Sequence, residues 1–183
     1  MRWKNLLTKW YNVVKSGKYI LYLIELIKMQ HFIGTYECKA DAKGRIMVPM
    51  PFKKQLAAMM QEGFVLKRAV FNSCLELYPL KEWDALMGRI NKLNRFNKKN
   101  NDFIRRFTAG VKLVDIDASG RLLIPKDLIV HAGIEKEVVL SAVVNIIEVW
   151  DKQSYEAAID AAKVDFGALA EEVMGDQDEV DLS

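Results

Sequence analysis

Histidine and cysteine are both scarce in this chain of 183 residues, which has two of each. They are His31, His131, Cys38 and Cys74. A structural zinc site takes four such ligands at short, recognisable spacings, and these positions do not offer that pattern. We therefore expect no metal and no cofactor. Both cysteines fall in segments that predict strands, where small buried thiols are common, and only their number supports a disulfide.

Long apolar runs are also lacking. The first thirty residues hold a nine-residue apolar run from Tyr19 to Ile27, interrupted by Glu25. A membrane-spanning helix needs about 20 such residues, and no small-residue cleavage site follows the run. A basic helix lying on a membrane surface remains open, as do a disordered extension and a true start at Met29.

Catalytic patterns are missing as well. Ser73, Ser119 and Ser141 have no histidine at a spacing that indicates a nucleophile with its base, and no glycine-rich phosphate loop occurs. We therefore expect a protein that is not an enzyme and has no small-molecule substrate.

What the chain does contain is an internal repeat. Two segments share an aspartate, a glycine, an arginine and a proline at identical spacing, 76 residues apart. Residues 75–78 and 147–150 match at an offset of 72. The shared spacing predicts two copies of one module, and the smaller second offset predicts that the second copy has a loop shorter by four residues. The repeated residues are Asp41, Gly44, Arg45 and Pro49, and Asp117, Gly120, Arg121 and Pro125.

Each copy of the motif predicts a hairpin tip followed by a strand and a short helix. Aspartate accepts hydrogen bonds from backbone N–H groups in a turn, and glycine takes the positive φ that tight loops need. Asp41, Gly44, Asp117 and Gly120 are therefore interpreted as structural turn residues. Proline cannot donate to a ladder, so each returning strand should end there and a helix begin, over 52–60 and 126–131. Further strands are predicted over 64–70, 75–78, 138–141 and 146–150.

Apolar residues at helical spacing fill the segment between the copies, over 79–107, and a similar helix follows over 152–164. A module of roughly fifty residues has a marginal core, so the copies should pack on one another. The predicted organisation is an extension over 1–29, a first module over 30–83, connecting helices over 84–108, a second module with a C-terminal helix over 109–164, and an acidic tail over 165–183.

Charge is distributed unevenly along the chain. Residues 1–30 carry six basic residues against one acid, whereas residues 164–183 carry seven acids and no base. Residues 81–112 hold nine basic residues against three acids. A basic face of this kind fits a polyanionic partner, although a solvated helix face would have the same composition.

The motifs give the chain a family resemblance. Over Gly34–Arg45, Arg105–Gly110 and Asp117–Pro125, together with Glu148 and Trp150, it resembles MraZ, a bacterial DNA-binding regulator. The resemblance covers about residues 30–160. It implies an α+β fold of two tandem AbrB-like swapped-hairpin modules that form a pseudo-twofold β-barrel with peripheral helices.

The resemblance also implies a function. It indicates a transcription factor that represses the division and cell-wall gene cluster by binding short direct repeats of double-stranded promoter DNA. It further implies a ring-shaped homo-oligomer, located in the cytoplasm on the nucleoid. Two features depart from the family pattern: the long N-terminus, and Ser119, where the family often has a longer polar residue.

Four residues are predicted to contact DNA: Lys43, Arg45, Ser119 and Arg121. Arginine can bind phosphate or guanine through paired N–H groups, and lysine acts as a compact charge. The alternative is that each arginine pairs with the aspartate of its own turn and only locks the hairpin. A different class also remains open, a structural or membrane-surface assembly protein that does not read DNA sequence. A single-module antitoxin-type regulator is disfavoured by the duplication.

Overall fold

The structure is a computed structural model that describes residues 31–161 and 166–175, apart from the side chain of Ala161. The interpretations placed on residues 1–29, and on residues 165 and 176–183 of the acidic tail, lie outside the described residues. Phe32 is the first residue of the compact unit that contains both copies of the motif.

The helices and strands alternate as the repeat predicts. Copy one contains β1 (Thr35–Lys39), β2 (Arg45–Met47), α1 (Met50–Leu56), β3 (Phe64–Arg68) and β4 (Leu75–Pro79). Two helices follow, α2 (Leu80–Ile90) and α3 (Lys98–Phe107). Copy two contains β5 (Lys112–Val114), β6 (Arg121–Leu123), α4 (Lys126–Ala132), β7 (Glu137–Val143) and β8 (Ile146–Asp151), and α5 (Lys152–Ala161) and α6 (Phe166–Gly175) complete the described part.

Several predicted boundaries move by a few residues. Each short helix begins directly after its proline, and α1 ends early in a 3₁₀ turn over Ala57–Met59. The helix α4 runs one residue beyond the predicted 131 and is capped by Gly133, whose φ of 61° is the left-handed conformation that glycine favours. Cys74 is a correction: it lies just before β4, whereas Cys38 is within β1. Both cysteines are free.

Strand pairing interleaves the two copies. The main sheet has the order β1-β7-β8-β4-β3-β5, so the first strand of each copy pairs with a strand of the other copy. The short strands β2 and β6 pair with each other in a separate antiparallel ladder. Each hairpin arm is thus exchanged between copies, which is the predicted swapped arrangement.

A closed barrel is not formed within the described part of the chain. The two-stranded ladder meets the main sheet only through single bridges, between Ala40 and Ile46 and between Ile116 and Leu122. The physical reason is length, because β2 and β6 have three residues each and leave no room for a longer ladder on either side.

The core is shared by both copies. Ile46 and Phe52 of copy one and Leu122 and Leu128 of copy two are buried in the same apolar cluster. Ile46 and Leu122 occupy equivalent positions of the repeat, 76 residues apart, and so do Phe52 and Leu128. Full burial of such a side chain contributes about 1.5–3 kcal/mol, so each copy supplies apolar surface that stabilises the other.

Candidate nucleic-acid interface

The first hairpin tip is closed by Asp41. Its Oδ1 accepts hydrogen bonds from the backbone N–H groups of Lys43 at 2.8 Å and Arg45 at 3.0 Å. Its Oδ2 accepts from Arg45 Nε at 2.7 Å and lies 2.7 Å from Nη2 of the same guanidinium. Gly44 has a φ of 78°, a conformation that residues with a side chain rarely adopt. The turn chemistry predicted from the sequence is therefore present.

The second tip repeats this geometry, except around residue 119. Asp117 accepts from the Arg121 backbone N–H at 2.9 Å and from Arg121 Nε at 3.2 Å. Gly120 has a φ of 79°. The difference is Ser119, whose hydroxyl donates to Asp117 at 2.8 Å and accepts from Arg121 Nη2 at 2.9 Å.

Reciprocal hydrogen bonds join the two tips. Val48 N–H donates to the carbonyl of Gly120 at 3.0 Å, and Ile124 N–H donates to the carbonyl of Gly44 at 2.9 Å. Within the β2–β6 ladder, Arg45 lies opposite Leu123 and Met47 lies opposite Arg121. The tips are thus held side by side in a pseudo-twofold arrangement.

The ladder has one buried and one outward face. Ile46 and Leu122 are almost fully buried, because alternate residues of a strand point to opposite sides. Met47 and Leu123 expose 48% and 52% of their surface. The side chains of Arg45 and Arg121 are 36% and 40% exposed. The outward face therefore presents two arginines, each opposite an apolar side chain.

Each aspartate is strongly acidic in the folded protein. Hydrogen bonds from the Arg45 backbone and then from its guanidinium lower the pKa of Asp41 to about 2. Hydrogen bonds from the Arg121 backbone and the Ser119 hydroxyl lower the pKa of Asp117 to about 2. Both carboxylates are therefore charged at neutral pH. Each Asp–Arg pair has no net charge, although the guanidinium keeps N–H groups that the aspartate does not use.

The structure brings most of the predicted site residues together. Arg45 and Arg121 lie on one ladder, Lys43 is exposed at the first tip, and Ser119 bonds to the Asp–Arg pair of the second. The pairing that was left open as the structural alternative is present in both tips. It coexists with partial exposure of both arginines, so the two interpretations do not exclude each other.

Sequence reasoning missed Lys53 of α1. Its Nζ donates to the Ser119 carbonyl at 3.4 Å and lies 3.2 Å from Met47 Sδ, so a side chain of copy one reaches the tip of copy two. Ile129, the equivalent residue of copy two, packs over Gly44 of the first tip. The 76-residue offset makes the pair visible in the sequence, but only the strand exchange shows which tip each side chain reaches.

A second polar cluster lies beneath α3. Lys67 is 1% exposed and pairs with Glu76 at 2.7 Å, and its ammonium lies 4.5 Å from the centre of the Phe107 ring. Tyr78 also donates to Glu76, at 2.9 Å. Glu148 lies opposite Glu76 in the sheet, where burial raises its pKa despite a hydrogen bond from the Trp150 indole. This buried network joins β3, β4 and β8.

The connecting helices are basic, as the sequence predicts. Lys98, Lys99, Arg105 and Arg106 all belong to α3, and Asp102 pairs with Lys98 and Arg105. Among the residues that the structure describes, no group of three metal-binding side chains occurs. None of the described helices is both long and apolar enough to cross a bilayer.

Fold and site together define a class of protein: a chain of two swapped-hairpin modules whose paired Asp–Arg tips project from a shared ladder. A family model described as "MraZ protein, putative antitoxin-like" matches residues 31–106 and 107–176, one match for each copy of the repeat. The chain belongs to the MraZ family.

Individual relatives agree with this assignment. The chain is 67% identical over 150 residues to a protein of Christiangramia forsetii, an alignment that covers 82% of this chain and 97% of the relative. It is 68% identical to one of Flavobacterium psychrophilum, over 80% of this chain and 94% of the relative. A Bacteroides thetaiotaomicron protein is 36% identical over 84% of this chain and 98% of its own length. All three are named Transcriptional regulator MraZ.

Proposed function

We propose that this protein is a sequence-specific DNA-binding transcriptional regulator that binds short direct repeats of promoter DNA as a ring-shaped oligomer. The observation that carries the proposal is the outward face of the β2–β6 ladder, where Arg45 and Arg121 lie diagonally across the same face in a chain of a regulator family. The family resemblance adds that the target is the division and cell-wall gene cluster, that the effect is repression, and that the protein acts in the cytoplasm on the nucleoid.

The shape of the ladder suits the DNA major groove, which admits a two-stranded β-ribbon. Arginine can donate two parallel hydrogen bonds to guanine O6 and N7, and apolar side chains can contact the thymine methyl group. Arg45 faces Leu123 and Arg121 faces Met47, so one ribbon offers both kinds of contact twice. Because the two strands are related by a pseudo-twofold axis, the two sets of arginine and apolar side chains run in opposite directions along the ribbon.

The aspartates support this role by orienting the arginines. Asp41 holds Nε and one terminal nitrogen of Arg45, which fixes the guanidinium plane before DNA arrives. An arginine that is already ordered loses less conformational entropy on binding than a free one. The carboxylate itself would repel a phosphate, so we assign it to positioning.

Oligomer formation would supply affinity that one subunit lacks. A single ladder offers two arginines and few other contacts, so one subunit should bind weakly. Several subunits joined in a ring would engage successive repeats, and each later contact would then form at a high effective concentration. Evenly spaced repeats in the promoter would match evenly spaced ladders in the ring.

Footprinting of the purified protein on the region upstream of its own gene tests the proposal. We expect protection at evenly spaced short boxes, and loss of protection for Arg45→Ala and for Arg121→Ala. Arg89→Ala removes an exposed arginine of α2 and serves as the control that should protect like the wild type. Uniform protection of any DNA, or no protection, would contradict the proposed function. Unfolding of both ladder variants would instead assign the arginines to structure.

A further inference from the structure

The two hairpin tips do not carry the same charge in their own sequence. Lys43 of the first tip is replaced by Ser119 at the equivalent position of the second, 76 residues later. With each Asp–Arg pair neutral, the first tip has a net positive charge and the second has none. The backbone of the ladder is pseudo-symmetric, but the two tips would therefore present different charges to DNA.

Lys53 supplies the missing cation from the other copy. The stem of Lys53 lies against Gly120, where an added Cβ would meet its Cε and Nζ, and the ammonium reaches the Ser119 carbonyl at 3.4 Å. At the first tip the equivalent contact on Gly44 is made by Ile129, which is apolar. The lysine thus comes from the turn in the first tip and from the helix of the other copy in the second, where serine and lysine stand in place of lysine and isoleucine, so each tip ends with one lysine.

The ammonium of Lys53 has no acidic partner in the part of the chain that the structure describes. Its two contacts are a backbone carbonyl and the sulfur of Met47, which is a weak acceptor. Here the stem packs and the charge stays uncompensated at the edge of the arginine-bearing face, so a phosphate oxygen would be a stronger partner than either present one.

We propose that Lys53 is a DNA-contacting residue that completes the second tip, so that one phosphate-binding lysine stands beside each base-contacting arginine: Lys43 beside Arg45, and Lys53 beside Arg121. This inference rests on the proposed function. It explains how the ladder can bind with both halves although its second motif has serine in place of lysine.

Lys53→Met tests the inference because methionine keeps the stem over Gly120 and removes only the charge. Binding to the promoter fragment would be measured by fluorescence anisotropy at several salt concentrations. Loss of one phosphate contact lowers the salt slope by about 0.9 and, at 0.15 M salt, weakens binding about fivefold for each tip engaged. Lys54→Met is the matched control, since Lys54 is exposed on the same helix about 100° further round.

A rescue variant tests the inference by restoring the lost charge at a different position. Ser119→Lys in the Lys53→Met background restores a lysine at the position that Lys43 holds in the first tip, and should return affinity and salt slope towards wild type. Lys53→Arg keeps the charge and should bind like the wild type. If Lys53→Met destabilises the protein, Lys53→Gln replaces it as the charge-removing variant, alone and with Ser119→Lys, and the same losses and recovery are expected.

The outcomes separate the inference from the function on which it rests. Wild-type protein that binds no promoter DNA would remove both. Wild-type protein that binds, with equal affinity and slope for Lys53→Met and Lys54→Met, would overturn the role of Lys53 alone. Failure of Ser119→Lys to restore binding would also contradict it, because the charge would then not act at the tip.

Discussion

At the scale of the residue, the Asp–Arg pair shows how a structural and a binding role can share one side chain. Asp41 closes the turn mainly through the backbone N–H groups of Lys43 and Arg45. The guanidinium adds a further bond but stays partly exposed. Such an exposed ion pair contributes little to stability by itself, which leaves its main effect on the orientation of Arg45.

The first prediction concerns the acidity of Asp41. Arg45→Lys removes the guanidinium bonds but keeps the backbone N–H, which is the largest cause of the low pKa. We expect the pKa of Asp41 to rise from about 2 and to stay below the ordinary 3.8. Titration of the aspartate carboxyl by NMR measures it, with Asp117 as the internal control whose pKa should not change.

The lowered pKa values of Asp41 and Asp117 determine how stability depends on pH. A carboxyl group whose pKa is lower in the folded state stabilises the fold fully above the unfolded value of 3.8, and this contribution is lost as the pH falls towards about 2. The tips should therefore keep their geometry at any pH above about 4. A pKa of Asp41 near 3.8 in the wild-type protein would contradict the hydrogen bonds described above.

At the scale of the element, glycine at each tip serves two purposes. Gly120 has a φ of 79°, and an added Cβ would also meet the stem of Lys53. Gly44 has the same backbone conformation, and its Cβ would meet Ile129. The tips need glycine both for the turn and for the close approach of a helix from the other copy.

The second prediction compares glycines in two settings. Gly120→Ala should lower the free energy of unfolding by about 1–2 kcal/mol from backbone strain alone, with the contact to Lys53 adding to this. Gly88→Ala lies in α2, where the added Cβ meets no atom within 4 Å, and should raise it by up to about 1 kcal/mol. Chemical denaturation of both variants measures the difference. Equal effects would contradict the description of the tip.

Much of the fold could be predicted from the repeat. Asp, Gly and Pro mark turns and strand ends by their own backbone chemistry, so both tips and the presence of a short helix after each proline could be predicted from the sequence. The pairing of β2 with β6 could not be predicted from the residues. Each of these strands would bury the same apolar residue whether it paired within its own copy or with the other copy. The swap came from family resemblance, and the reach of Lys53 depends on that swap.

At the scale of the whole molecule, the two copies are one folding unit. β1 pairs with β7, β5 pairs with β3, and the β2–β6 ladder joins the tips. Within a single copy of the described chain, the hairpins β3–β4 and β7–β8 are the only strand ladders that remain. An isolated two-stranded hairpin is marginally stable in water, so a lone copy keeps little of the sheet.

The last prediction is that neither copy folds alone as a monomer. Residues 31–106 and 107–176 would be purified separately, and their unfolding followed by circular dichroism, with sedimentation to measure size. We expect no cooperative transition for a monomeric half, and recovery of one when equal amounts are mixed, because each half then supplies the missing partners of β1, β2 and β5. A homodimer of either half would support the same exchange of strands. Cooperative unfolding of a monomeric half would contradict it, and would mean that β2 can fold back on its own copy and that the joined tips are not required for the fold.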